Sequence, residues 1–353
     1  MHHDNFSLSI LQNHDYQLDI YRALMMIYVP CIIHVIYWLG KGHPYINSLL
    51  LFEMPVIFYI SGATMYITGK KRDLKDTVIN RTKRLLLPYI FFIFGCFVFI
   101  IAWALISRTD VEYKSISIIK ILTAQDGSMP VLYMWHLWFV VPYLIVSCSF
   151  PIQQRWADKI NRWVYMLVLL ALCLIGPILT YLHPVYLKPI REALFYNFFF
   201  IAGYLFYKKL TFKSLITLTI VSGVIVGSNI WHEWNTTGGF SMQAHKFPPD
   251  FLFIAFGIFA ISVLGLLFSN FTIPNNRIFN HWNKYGYSIY LWQNFSFIIY
   301  GLIYKYSGLQ ILSNHPLADF LVASLGIFII SSLTSLAIVP LEKVFIGLLS
   351  NHK

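Results

Sequence analysis

Apolar runs of 18 or more residues recur from one end of this 353-residue chain to the other. A helix needs about 20 such residues to cross the hydrocarbon of a bilayer, and there every backbone polar group must be satisfied within the fold. The runs therefore predict an all-α, polytopic membrane bundle. Ten spans are expected, near 18–39, 48–68, 85–106, 131–150, 163–182, 190–207, 212–230, 251–269, 285–304 and 317–339. Only 12% of the residues are charged, roughly half the usual share of about 25% in a soluble chain. No polar stretch is long enough to fold apart, so residues 1–353 read as a single integral-membrane domain. The segment before Leu18 is polar, without a basic stretch or a small-residue cleavage site, and no removable signal peptide is expected. Cys31, Cys96, Cys148 and Cys173 all fall within spans and lack motif spacing, which supports neither a disulfide framework nor a thiolate metal site.

The net charge of +11 is a matter of topology. Leaving Arg22 aside, segments on the side of the N-terminus hold about 17 Lys and Arg, and the opposite loops about 8. The positive-inside rule then places both termini in the cytoplasm, with membrane lipids as partners and no nucleic-acid binding expected. Ionisable groups inside spans are costly and point to function. In span one, LDIYRALMMIYVPCIIH carries Arg22 at its start and His34 twelve residues on, roughly 18 Å along a helix. Glu53 lies about as far below the outer end of span two as His34 does in span one. A carboxylate there could orient the imidazole and raise its basicity, as a general base requires, or it could simply face a polar crevice.

The segment GKKRDLKDTVINRTKRLLLPY is the most basic one. Lys70, Lys71 and Arg72 suit a lipid-surface anchor. Arg81 and Arg84 instead abut the apolar run, at i and i+3 on one helix face, in the same leaflet as Arg22. Three planar guanidinium forks at a cytoplasmic entrance fit the phosphates of a polyanionic cofactor.

These stretches, LDIYRALMMIYVPCIIH, FEMPVIFYISG and RTKRLLLPY, together with WHLWFVVPYLI and GYSIYLWQNF, resemble in order the membrane-bound acyltransferase-3 family. The resemblance covers nearly the whole chain. It implies transfer of an acyl group, most often acetyl from acetyl-CoA, to a hydroxyl of a surface or exported carbohydrate at a bacterial inner or cytoplasmic membrane. Arg22, Arg81 and Arg84 would then hold the coenzyme phosphates while the thioester arm reaches toward His34. His34 would deprotonate the acceptor hydroxyl or carry the acyl group itself, with Glu53 orienting it. Span nine departs from the family pattern, with Gln293 where relatives commonly show a histidine, and that puts more of the chemistry on His34.

Trp135, His136 and Trp138 open span four. They read either as an interfacial belt or as a platform for the acceptor sugar, with His136 donating to a hydroxyl. Arg191 and Glu192 open span six with no argued role. In the loop 231–250, His232, Glu233, His245 and Asp250 lack tight ligand spacing, and no metal is expected. KFPPD resembles a stretch of some family members, and its prolines would break a helix. The alternative is a transporter or flippase of a lipid-linked sugar, for which internal repeats and broken helices would be expected, and no clear repeat is visible.

Overall fold

The computed structural model describes residues 15–40, 44–69, 73–108, 134–182, 187–269, 272–274 and 276–350. The stretch 109–133, expected as most of an outer loop, lies outside the described residues, as do Lys70, Lys71 and Arg72 and the side chain of Trp135.

Among the described residues ten long helices follow one another: α1 Tyr16–Leu39, α2 Glu53–Thr68, α3 Leu74–Ser107, α4 Val140–Ala157, α5 Arg162–Leu182, α6 Lys188–Phe206, α7 Phe212–Thr237, α8 Phe251–Phe268, α9 Arg277–Tyr306 and α10 Pro316–Ser350. The described parts of the expected spans overlap these helices. Seven segments, α1, Tyr45–Thr68 ending in α2, α3, His136–Ala157 ending in α4, α7, α8 and α10, are long and apolar enough to cross a membrane on composition alone. The other three depart from that rule or meet it only in part. Lys188, Arg191 and Glu192 break the apolar character of α6, and Asn280, His281, Asn283 and Lys284 that of α9. In α5 the apolar stretch counted is the shorter Arg162–Gly176. α3 and α10 exceed the roughly 20 residues a bilayer requires.

Helix starts follow side-chain chemistry. Asp73, Thr211 and Asp250 stand in extended backbone before α3, α7 and α8, and accept from the backbone N–H of Lys75, Ser214 and Phe253. These are N-caps, satisfying donors the first turn leaves open. Two helices contain wide turns. In α1, Pro30 has no N–H to give, and over Val29–Ile33 the helix widens until the His34 N–H donates to Val29 O, five residues back. In α3 the same winding over Thr82–Leu86 precedes Pro88, and the Leu87 N–H donates to Thr82 O.

The chain divides into two compact units, passing from one to the other within α1, α4 and α9. The first comprises residues up to Met25, Gly42–Arg72 and Phe150–Asn283. Its centre is the crossing of α2 and α6. There a Cβ on Gly62 would stand 1.7 Å from Phe200 O, and one on Gly203 1.9 Å from Tyr59 O. Only glycine permits backbones that close, the small-residue packing usual between membrane helices. Phe58 stacks on Tyr196 across the same crossing, and α6 is buried along almost its whole length. Arg22 is tied in by Asp19 (3.4 Å), Asn283 (3.1 Å) and Thr64 (2.6 Å). The second unit comprises Met26–Lys41, Asp73–Ser149 and Lys284 onward. In it Trp292 of α9 fills the space over Gly95 of α3, and Tyr300 that over Gly326 of α10.

Candidate active site

In the second unit His34 is met by Gln293, His136 and Tyr290. The wide turn ends on this residue, which is 7% exposed. His34 Nδ1 and Gln293 Oε1 are 2.6 Å apart. With the amide oxygen facing the ring, Nδ1–H is the donor and Nε2 carries the lone pair, the tautomer a base needs. Gln293 is fully buried, and its Nε2 meets no acceptor among the described residues.

Two further rings surround the imidazole. Those of His136 and Tyr290 have centroids 6.1 and 6.0 Å from His34, and 5.3 Å from each other. Tyr290 OH donates to the backbone carbonyl of His136, and Phe139 stands edge-on to Tyr290. The short 3-10 turn Trp135–Phe139 thus delivers His136 to the interior, where it is 1% exposed. Trp138, in the same turn, is half-buried.

Arg81 immediately precedes the wide turn of α3 and Arg84 lies within it, the first half-buried and the second exposed. Tyr287 of α9 donates to Leu85 O (3.0 Å) and ties that turn into the unit. Both candidate elements, the histidine and the arginine pair, therefore sit at π-type turns, which recur at functional sites.

Glu53 lies in the first unit. Its Oε1 accepts from Lys246, while Oε2 meets no donor among the described residues. At His34 Nδ1 the partner within the second unit is Gln293 Oε1. In the sequence Gln293 reads as a departure from the family pattern, and Lys246 as part of the proline-broken KFPPD. Neither pairing carries a local signal, since the partners are 259 and 193 positions apart.

The loop preceding α8 is a clasp. His245 Nδ1 meets Asp250 at 2.6 Å and Nε2 meets Glu233 at 2.5 Å. Hydrogen bonding to Asp250 raises the His245 pKa above its ordinary 6.5, against the opposing effect of burial, and Glu233 adds to the rise. The carboxylates take opposite edges of the ring and so converge on no common point. Among the described residues no group of three His, Cys, Asp or Glu is placed to hold a metal ion.

A membrane-embedded helical protein with a buried, hydrogen-bonded histidine and a basic helix turn is the class these observations define. A family model described as an acyltransferase domain matches residues 15–336, and the chain belongs to that family, acyltransferase-3. No curated protein and no solved structure matches the chain. The family assignment identifies the protein as a multi-pass membrane acyltransferase, with an acyl donor and an acceptor as its partners, and lends no support to the transporter alternative.

Proposed function

We propose that this acyltransferase moves an acetyl group from cytoplasmic acetyl-CoA to a hydroxyl of a surface or exported carbohydrate, in a bacterial inner or cytoplasmic membrane. One observation carries the reading: His34, buried in a spanning helix, has its Nδ1 hydrogen-bonded to Gln293 Oε1 (2.6 Å) in a chain of this family. The pair fixes the imidazole with Nε2 as base. Nε2 takes the proton of the acceptor hydroxyl, the oxygen attacks the thioester carbonyl, and the coenzyme leaves as thiolate. The Nε2–H of Gln293 is suited to donate to the carbonyl oxygen as negative charge builds on it.

Arg81 and Arg84 bind the coenzyme phosphates by charge-assisted hydrogen bonds. The wide turn that holds them supports this role. Arg22 is the third candidate for phosphate, and its separate replacement tests it apart from its bonds to Asp19, Asn283 and Thr64. His136 sits within reach of the same chemistry through its ring contact with His34, and with Trp135 and Trp138 it is proposed to guide the acceptor.

The test compares O-acyl esters on surface glycans of cells carrying wild-type or His34→Ala protein, read by proton NMR before and after mild base, with membrane insertion measured in parallel. Loss of ester with the protein inserted is expected. Equal ester in both strains would refute His34 as the base.

A further inference from the structure

The first unit contains two ion pairs that the reaction above does not use. Glu53 on α2 pairs with Lys246, and Arg191 Nη2 lies 2.5 Å from Glu192 Oε1 on α6. All four are buried: Glu53 is 3% exposed, Lys246 5%, Arg191 5% and Glu192 1%. The pairs are neighbours. Glu192 feels the charge of Lys246 as well as of Arg191, and the fully buried Tyr196 feels both carboxylates.

Four ionisable groups are expensive to keep in a membrane protein, and a pair of opposite charges that only braces helices is commonly replaceable by apolar side chains. Bracing also leaves a specific feature unexplained. Each carboxylate spends one oxygen on its cation and leaves the other, Glu53 Oε2 and Glu192 Oε2, buried with no donor among the described residues. A buried acceptor without a donor is costly, so the arrangement is complete only when something supplies two hydrogen-bond donors.

The surroundings define that donor. The two pairs sum to zero charge, which disfavours an ionic ligand. Tyr196, which both carboxylates reach, is packed between Phe58, stacked on it, and Phe195, edge-on to it, so the surroundings are apolar and aromatic. Bare carboxylate oxygens beside aromatic rings suit a ligand with hydroxyls at its edges and C–H groups on its faces. The structure also holds Lys246 firmly. The Met242 N–H donates to Ser48 Oγ (3.1 Å), Met242 is fully buried, and the clasped His245 is the next residue before Lys246.

We propose that Glu53, Lys246, Arg191 and Glu192 form a binding site for a neutral, hydroxyl-rich ligand, a segment of the carbohydrate acceptor, whose hydroxyls donate to Glu53 Oε2 and Glu192 Oε2. This rests on the acyltransferase reading and gives it an acceptor subsite separate from the residues around His34.

The test uses the purified full-length protein in detergent and follows its thermal unfolding midpoint. Coenzyme A is one probe; maltotriose and chitobiose, both neutral, are the others. At tenfold the dissociation constant a bound sugar raises the midpoint by about 2 °C. The paired apolar replacements Arg191→Met with Glu192→Leu, and Glu53→Leu with Lys246→Met, remove charge in balanced twos and so spare the fold an unpaired ion. The sugar shift is expected to vanish in both while the coenzyme A shift persists. On the wild-type protein alone, sugar is expected to slow carbodiimide coupling to Glu53 and Glu192, read by mass spectrometry. No sugar shift and no protection in the wild type would mean the bare oxygens hold water only and would overturn the proposal. So would a shift that survives both replacements. An absent coenzyme A shift would instead count against the acyl-CoA reading, whatever the sugars do.

Discussion

Replacing Gly62 by alanine should destabilise the protein, against the rule for exposed helices. In a helix interior alanine is ordinarily favoured over glycine by about 1 kcal/mol, because glycine loses more backbone freedom on folding. At Gly62 the added Cβ would lie 1.7 Å from Phe200 O, 2.7 Å from Phe200 C and 3.0 Å from the Tyr204 nitrogen. These are backbone atoms, with no rotamer to move them aside. An ordinary contact requires α2 and α6 to part by about 1.5 Å, and such a gap forfeits at least a quarter to a half of each dispersion contact across it. Overpacking of this kind costs about 1–3 kcal/mol, enough to overcome the propensity gain. Gly203→Ala meets Tyr59 O at 1.9 Å and should behave alike. The double variant should cost less than the sum, since one displacement relieves both clashes. Gly227→Ala is the control: it lies in α7 with nothing within 4 Å of its Cβ, and should be neutral or stabilising. The assay is the thermal midpoint in detergent. Equal midpoints for Gly62→Ala and Gly227→Ala would refute the close crossing of α2 and α6.

Gln293→Leu should cut acyl transfer about 10–100-fold by leaving His34 Nδ1 without its acceptor, an energetic loss of about 1–3 kcal/mol, while coenzyme A binding stays unchanged; equal turnover would remove Gln293 from the site. Gln293→Glu should move the acidic limb of the pH–rate profile upward, because a carboxylate favours the protonated imidazole and so raises the pH at which the base is free. Replacing Arg81 and Arg84 together by alanine should weaken coenzyme A binding in calorimetry and flatten its dependence on salt, and undiminished affinity would place the phosphates elsewhere. The His245 clasp binds protons more tightly folded than unfolded, so its contribution is complete below the ordinary pKa of 6.5 and fades as pH rises through the raised value. Amide protection factors in residues 241–250, corrected for the base-catalysed rise in intrinsic exchange, should fall over that interval in the wild type and stay level in His245→Gln.

Much of the helical framework could be read from the chain alone, because lipid imposes long apolar runs and these survive in any single sequence. Arg81, Arg84 and His34 were visible for the converse reason, as ionisable groups where apolar ones are expected. The partners were not. Gln293 at His34 and Lys246 at Glu53 are chosen by tertiary packing, and nothing periodic marks a contact between positions so distant in the chain. His136 looked superficial since aromatic residues at a span's entry usually are, but a single 3-10 turn carries it inside. Arg191 and Glu192 were noticed and left without a role, because their bare carboxylate oxygen and their neighbours exist only in the folded chain.

The wide turn at Val29–Ile33 has a consequence for how α1 tolerates change. Such a turn amounts to one residue wound in excess of an α-helix, so the side chains before and after it belong to two angular phases about 100° apart. Winding the same residues as a regular α-helix would swing His34 by that angle, off Gln293, with every chemical group of the site still encoded, whereas deleting one residue of the turn at the same time would leave the histidine where it is. For this helix, spacing and winding are inherited together: a relative that changes one without the other would keep the letter and not its place.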